Sequence, residues 1–222
     1  MDQILALFGA SGRTGLQIIS AAAESGVRVR ALVRREGSLP SHSLVTPLVG
    51  SLTQEKDVRE TLQGTSAACL VFGPRPPYSD IFCAGATQVV VAEMARLSVP
   101  RVLCQTGAMI GDYRPNRTWA FELMGKLNRR SQPAVLQDRV AQEEIVRSSG
   151  LAWTLVKPPR LTAGTRKAHI RVGPEVRVGL LSSVPRSNLA SLFVEEFLRP
   201  RFERQTVFVR GQIGGLAWLR AR

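Results

Sequence analysis

The apolar run Ile4-Leu5-Ala6-Leu7-Phe8 breaks at once into Gly9-Ala10-Ser11-Gly12-Arg13-Thr14-Gly15 and resumes as Leu16-Gln17-Ile18-Ile19. Consecutive apolar residues bounded by glycine read as a strand buried on both faces, and the stretch from Leu16 onward reads as a helix. A strand that runs into glycines and opens a helix is the first half of a βαβ unit. Each glycine then has its own duty: one allows the tight turn, one lets backbone N–H groups approach a pyrophosphate, and one lets the helix pack close to its strand. The helix N-terminus adds partial positive charge. Gly9, Ser11, Gly12, Arg13, Thr14 and Gly15 are therefore candidate contacts of a dinucleotide. A glycine turn that only joins a strand to a helix is the alternative on spacing alone. The second apolar strand, at the right distance along the chain, favours the dinucleotide.

That second strand, Val27 to Val33, ends in Arg34-Arg35. A site for NAD places a carboxylate here to accept from the ribose hydroxyls, whereas a 2′-phosphate needs cations. Arg34 and Arg35 offer planar, permanently charged forks, and Arg13 is within reach of the same phosphate. The expected cofactor is NADPH rather than NADH.

With 222 residues and 44% apolar content, the chain is expected to form one domain, residues 1–222, with a sizeable core. Its net charge of +13 is almost wholly arginine, since only Lys56, Lys126, Lys157 and Lys167 are lysines. Such charge attracts phosphates and anionic substrates. The basic residues are scattered without an aromatic-interleaved stripe, so no specific nucleic-acid partner is expected. Cys69, Cys83 and Cys104 lie in or beside apolar segments without CxxC spacing and read as small buried hydrophobes of a reducing compartment. With only His42 and His169 in the chain, no His/Cys metal cluster is expected. No apolar run is long enough for a membrane span, and the expectation is a cytoplasmic monomer or homodimer.

Strand-like and helix-like stretches alternate along the chain, which predicts an α/β fold with a doubly wound parallel sheet. Strands are expected at 44–49, 67–72, 101–105 and 151–156, and helices over 57–62 and 81–97. Between the fifth and sixth strands lie about 45 residues, more than one crossover helix needs. This helical insertion, about 113–149, divides at Pro133 into helices over 118–130 and 134–149. After Pro158-Pro159 come small strand-like pieces on the substrate side, a helix over 187–198 with Ser187 as N-cap, and a last strand over 206–210. The irregular loop Gly73-Pro74-Arg75-Pro76-Pro77 comes after the fourth strand, and the tail at 212–222 fits no element.

From Ile4 to about Phe208 the residues resemble the atypical short-chain dehydrogenase/reductases, in particular the NmrA-like NAD(P)H-binding branch that includes biliverdin-IXβ reductase. The opening fingerprint, Leu32-Val33-Arg34, and above all the run from Ser149 through Trp153, Lys157, Pro158, Pro159 and Arg160 to Leu161 carry the resemblance. It implies a Rossmann-like fold. Ser51 and Leu52 would pack on the adenine, with Ser51 where the family usually has Asp, and Phe72, Gly73 and Pro74 would border the cofactor. Lys157, Pro158, Pro159 and Arg160 would stand beside the nicotinamide.

The departures from the family concern chemistry. No Tyr-x-x-x-Lys pair exists: the tyrosines are Tyr78 and Tyr113, and Tyr113 reads as a loop residue. Gly107 stands where the resemblance implies a Ser, after Thr106, so Thr106 supplies the only hydroxyl there or none is supplied. Asp138-Arg139-Val140-Ala141-Gln142-Glu143 resembles an Asp-Lys/Arg-x-x-x-Glu pattern of the bacterial branch. On that resemblance Thr106, Asp138 and Arg139 are the catalytic candidates, with Arg139 on the cofactor ribose or phosphate and Asp138 orienting it. A solvated helix face is the alternative for Asp138, Arg139 and Glu143.

The expected function is an NADPH-dependent oxidoreductase that reduces a planar aromatic, quinone-like or flavin-like substrate, whose delocalised charge needs no strong protein acid. The expected partner is thus a hydrophobic or aromatic small molecule. Trp119, Phe121, Leu123 and Met124 are candidates for a lid over it or, alternatively, for plain core. A non-catalytic NADP(H) redox sensor and a nucleotide-retaining isomerase, epimerase or dehydratase are the competing functions.

Overall fold

The computed structural model describes residues 3–74, 80–164 and 169–211. Arg75, Pro76, Pro77, Tyr78 and the 212–222 tail lie outside the described residues. In chain order the elements are β1 (Ile4–Phe8), α1 (Arg13–Glu24), β2 (Arg28–Val33), β3 (Val45–Val49), α2 (Glu55–Leu62), β4 (Ala67–Leu70), α3 (Cys83–Arg96) and β5 (Arg101–Gln105). They continue through a 3-10 turn (Arg114–Asn116) to α4 (Trp119–Ser131), α5 (Pro133–Ser148), β6 (Ala152–Lys157) and β7 (Arg160–Thr162). β8 (Ile170–Gly173), β9 (Ser183–Pro185), α6 (Arg186–Leu198) and β10 (Gln205–Gly211) complete the order.

The main sheet runs β3-β2-β1-β4-β5-β6-β10-β8. Every pairing in it is parallel except β10 with β8, which makes the sheet mixed at that edge. β7 and β9 form a separate parallel pair. This is a doubly wound, Rossmann-like α/β fold. The strand order reverses between β1 and β4, and in open sheets of this kind ligands bind at the carboxyl ends of the strands flanking that reversal.

The continuous apolar runs are continuous because both sheet faces are covered. Leu5 and Leu7 of β1 join one core with Ile18 of α1 and Leu189 and Phe193 of α6, while Ala6 and Phe8 face the other, built with Leu62 of α2 and Val90 and Met94 of α3. β4 divides the same way, Ala67 and Cys69 to the first core and Ala68 and Leu70 to the second. At the far edge β3 is buried only at Val45 and half-buried at Leu48, and it tolerates Pro47. The three cysteines are free and buried, and burial pushes the Cys104 thiol up to about 12, far from the reactive thiolate range.

Two expectations change. Ser187 does not cap the last helix: Pro185 is the N-cap residue, and the Ser187 hydroxyl sits in the first turn, donating to the Gly164 carbonyl. The apolar residues of α4 do not act as one group. Phe121 is buried with Ala108, Val178 and Phe208, and Met124 packs on that cluster. Trp119, at 82% exposure, and Leu123, at 51%, point away from it, because Trp119 and Leu123 stand four apart on the opposite side of the helix. Phe121→Ala should cost about 3–5 kcal/mol in urea unfolding, whereas Trp119→Ala should stay within about 0.5 kcal/mol of the parent. Equal losses would contradict this packing.

Candidate functional site

A crevice of about 880 Å3 opens at the strand-order reversal. It extends from the carboxyl end of β2, where Leu32, Val33 and Arg34 line it, past the β1–α1 turn to Gln105 at the end of β5 and Arg139 on α5. Its size suits a nucleotide-sized ligand.

The β1–α1 turn is built for close approach. Gly9 adopts φ +94°, and a Cβ there would meet the Phe72 backbone nitrogen at 2.8 Å. A Cβ on Gly15 would stand 2.3 Å from the Gly9 carbonyl oxygen, so the third glycine lets α1 seat on its strand and does not itself line the crevice. Gly9, Ser11, Gly12, Arg13 and Thr14 do line it. The N-cap of α1 is Gly12, which has no side chain to cap the free amides, and no acidic residue sits in the first turn. The first N–H groups of the helix and its positive end thus face the crevice unneutralised, as a phosphate requires.

Of the two arginines after β2, Arg34 lines the crevice and Arg35 does not. Ser51 and Leu52 also line it, across from β2. Behind Ser51, which stands where the resemblance implies Asp, the Asp57 carboxylate on α2 accepts from the Ser51 amide at 2.8 Å without itself lining the crevice. Asp57 was not legible as a site residue because it acts from the next helix.

At the other end, Phe72, Gly73 and Pro74 line the crevice, with Phe82 beside Phe72 at 5.9 Å between ring centroids. Arg139 is buried and ties two strand ends together: Nη1 donates to the Phe72 carbonyl at 3.1 Å and Nη2 to the Gln105 carbonyl at 3.0 Å. Asp138 does not orient it. Both Asp138 oxygens accept from the backbone N–H groups of Cys83 and Ala84, at 2.8 and 2.9 Å, capping α3 from the neighbouring helix. Adjacent helical residues do not share a face, which is why the side chains of Asp138 and Arg139 part company.

Thr106, Lys157, Pro158, Pro159 and Arg160 do not line the crevice. The Pro158 carbonyl accepts from Ala108 N–H and fixes the turn after β5, and Arg160 opens β7 with an exposed side chain. The Thr106 hydroxyl is buried beside Glu143 without a well-formed hydrogen bond, and the Gln105 side-chain oxygen is likewise buried without a partner. Leu161 of β7 and Arg186 of α6 line the crevice, although neither was expected to.

Lys157 belongs to a charged cluster behind this end of the crevice. Fully buried, it pairs with Glu143, whose other oxygen takes the Arg147 guanidinium at 2.7 Å. Tyr113 donates to Glu143 at 3.3 Å and contacts Arg147, with the Lys157 ammonium 4.3 Å from its ring centroid. Burial pushes Glu143 up, but Lys157 and Arg147 outweigh it and hold the carboxyl below its ordinary range. Burial lowers Lys157 to about 8 despite Glu143. The tyrosine and lysine that the sequence does not space as a pair thus meet in space, but Tyr113 is held with its proton by burial and by Glu143, and it lines no described cleft. The cluster supports the end of β6 and is placed to hold structure rather than to touch a ligand.

A second cleft, of about 640 Å3, begins on the same loop a few residues past Thr106. Met109, Ile110, Pro133, Leu136, Val140 and Ala141 give it apolar walls, and Arg114, Arg129 and Glu122 mark its rim. Gly107 lines neither cleft, and a Cβ there would meet only Ile110, at 3.7 Å. Among the described residues no group of His, Cys, Asp and Glu is arranged to hold a metal, and no helix is long and apolar enough to cross a membrane.

Residues 9–200 match the protein family described as NAD(P)H-binding. Among solved structures, a short-chain dehydrogenase/reductase from Veillonella parvula superposes with a TM-score of 0.80 at 16% identity, covering 96% of each chain. A structure of a short-chain dehydrogenase/reductase from the same organism in complex with NADP gives 0.79 at 16% identity, again covering 96% of each chain. ChuY from Escherichia coli O157:H7, an anaerobillin reductase, gives 0.77 at 17% identity over 96% of this chain and 100% of its own. At these identities the likeness is one of fold.

Removing one partner from the buried cluster should be costly. Glu143→Gln strands two cations and is expected to lose about 3–5 kcal/mol in denaturant unfolding, while the double replacement Glu143→Gln with Lys157→Met should lose less than the sum of the singles. Because folded Glu143 is held below its ordinary value, its contribution is present at neutral pH and fades as pH falls through the folded value. Additive losses, or a Glu143→Gln cost below about 1 kcal/mol, would contradict the pairing.

Proposed function

Because the chain belongs to the NAD(P)H-binding family, we propose that it is an NADPH-dependent oxidoreductase acting on a planar apolar acceptor of the aromatic, quinone-like or flavin-like kind. The observation that carries this reading is the polarity of one crevice. Its β2 end presents Arg34 where a carboxylate would favour NAD, and a second cleft with apolar walls begins at Met109, four residues beyond Gln105 at the crevice's β5 end. Bound NADPH supplies the hydride.

The residues of the chain then have separable duties. The uncapped start of α1 and Arg13 take phosphate, Arg34 takes the 2′-phosphate, and Ser51 and Leu52 border the adenine. Arg139 fixes the ends of β4 and β5 relative to one another and so sets the floor on which the reacting ring rests. Met109, Ile110, Leu136 and Val140 of the second cleft receive the acceptor's apolar body and keep water from it. These residues replace the α4 side chains Trp119, Phe121, Leu123 and Met124 as the proposed acceptor wall. With glycine at 107, where the resemblance implies a serine hydroxyl, the proton that completes reduction comes from solvent, which suits acceptors that delocalise the incoming charge.

The same glycine favours, as a second reading, an NADP(H) sensor without turnover. Loss of NADPH absorbance against a panel of quinones, flavins and polycyclic ketones separates the two. Acceptor-dependent oxidation is expected, and binding without oxidation by any acceptor would favour the sensor or a nucleotide-retaining isomerase. Arg34→Ala should weaken NADPH by about 10- to 100-fold while leaving NADH unchanged, and Arg35→Ala should have the smaller effect. Leu136→Trp should raise the acceptor KM without altering NADPH affinity; unchanged acceptor kinetics would remove the second cleft from the site.

A further inference from the structure

We infer that Arg186 is a pyrophosphate ligand, closing with Arg13 on the diphosphate of the bound nucleotide. Arg186 is the first residue of α6 and lines the crevice although nearly the whole chain separates it from the glycine turn. Its position is fixed from two sides. It follows β9 directly, and β9 pairs with β7 so that Val184 stands opposite Leu161, itself a crevice residue. α6 then packs lengthwise on α1 through Leu189 and Phe193 against Ile18 and Ala22.

The two helices start at the same edge of the sheet. α1 follows the carboxyl end of β1, while α6 finishes near the amino edge, where Glu196 pairs with Arg101 at the first residue of β5. Arg186 therefore stands beside the start of α1, where nucleotide-binding sheets of this kind place the pyrophosphate. Arg34 stands apart at the end of β2, where they place the adenine ribose.

The charge pattern points the same way. Several buried or half-buried arginines have carboxylates, as Arg101 has Glu196, Arg117 has Glu122 and Arg147 has Glu143, and buried Arg139 instead donates to two backbone carbonyls. Half-buried Arg186 and exposed Arg13, which line the same crevice, have no carboxylate within ion-pair distance among the described residues. Burial first, and then the charge of Arg13, push the Arg186 guanidinium below its ordinary value. Neither helix start neutralises them, since α6 like α1 has no side-chain cap and no acidic residue in its first turn. Two unpaired forks beside a free helix N-terminus call for a doubly charged, oxygen-rich anion, and a diphosphate satisfies them together.

This assignment depends on nucleotide binding alone, and hydride transfer plays no part in it. The test is titration of the whole protein with NADPH and with NADH, followed by nucleotide fluorescence or calorimetry, for the parent, Arg186→Gln and Arg34→Gln. Arg186→Gln is expected to weaken both nucleotides by a similar factor, about 10- to 100-fold, whereas Arg34→Gln weakens only NADPH. Arg186→Lys, which keeps the charge and loses the fork, should recover part of the affinity. The Tm of nucleotide-free Arg186→Gln should match or exceed that of the parent, since the substitution relieves repulsion. The assignment is overturned if Arg186→Gln leaves both affinities intact, if it weakens NADPH alone, or if it lowers the nucleotide-free Tm enough to mark Arg186 as a structural residue. A parent protein that binds neither nucleotide would instead defeat the cofactor assignment itself.

Discussion

The seating of α1 against β1 is the contact on which the rest of the molecule depends. The Gly15 Cα lies so close to the Gly9 carbonyl that any side chain at 15 would overlap it, and Gly9 itself turns through a conformation that side chains resist. Only this approach lets the β1–α1 turn lie flat against the end of β4, where Phe72 begins one wall of the crevice. The helix amides that a ligand would need are exposed because the turn carries glycine at the N-cap rather than a capping side chain. Two cores, one on each sheet face, hold the strand ends in register around that turn.

A second layer of control lies behind the β5 end. Arg139 binds backbone carbonyls of two strands, and Glu143, one turn on along α5, gathers Lys157, Arg147 and Tyr113. One helix face therefore carries both a floor for the crevice and an ionic anchor for the end of β6. Such buried groups cost desolvation energy unless all are satisfied together, so the cluster is fragile to single replacements and rigid when intact.

The order of elements was legible in the sequence because a sheet covered on both faces writes its strands as unbroken apolar runs, as in Ile4 to Phe8 and Ala67 to Leu70. The glycine turn and Arg34 were legible because their geometry is local. What the sequence hid is contributed across distance. Arg186 and Leu161 reach the crevice from a three-residue strand and a helix start that carry no periodic signal. Asp57 orders Ser51 from a helix six residues on, and Tyr113 meets Lys157 only through the fold. Asp138 misleads because neighbours in sequence diverge on a helix, and its carboxylate went to the open amides of α3. The apolar residues of α4 mislead because a stripe in sequence does not say which side is covered.

The central claim is that one crevice, from the β2 end to the β5 end, receives the whole nucleotide. Amide hydrogen exchange with and without saturating NADPH tests this most directly, since it reads backbone protection at each segment and needs no acceptor. Slowed exchange is expected across Gly9 to Thr14, at Val33 and Arg34, and at Phe72 and Gly73, with α2 and the exposed side of α4 unchanged. Protection confined to the second cleft around Met109 and Leu136, or no protection at the β1–α1 turn, would contradict it.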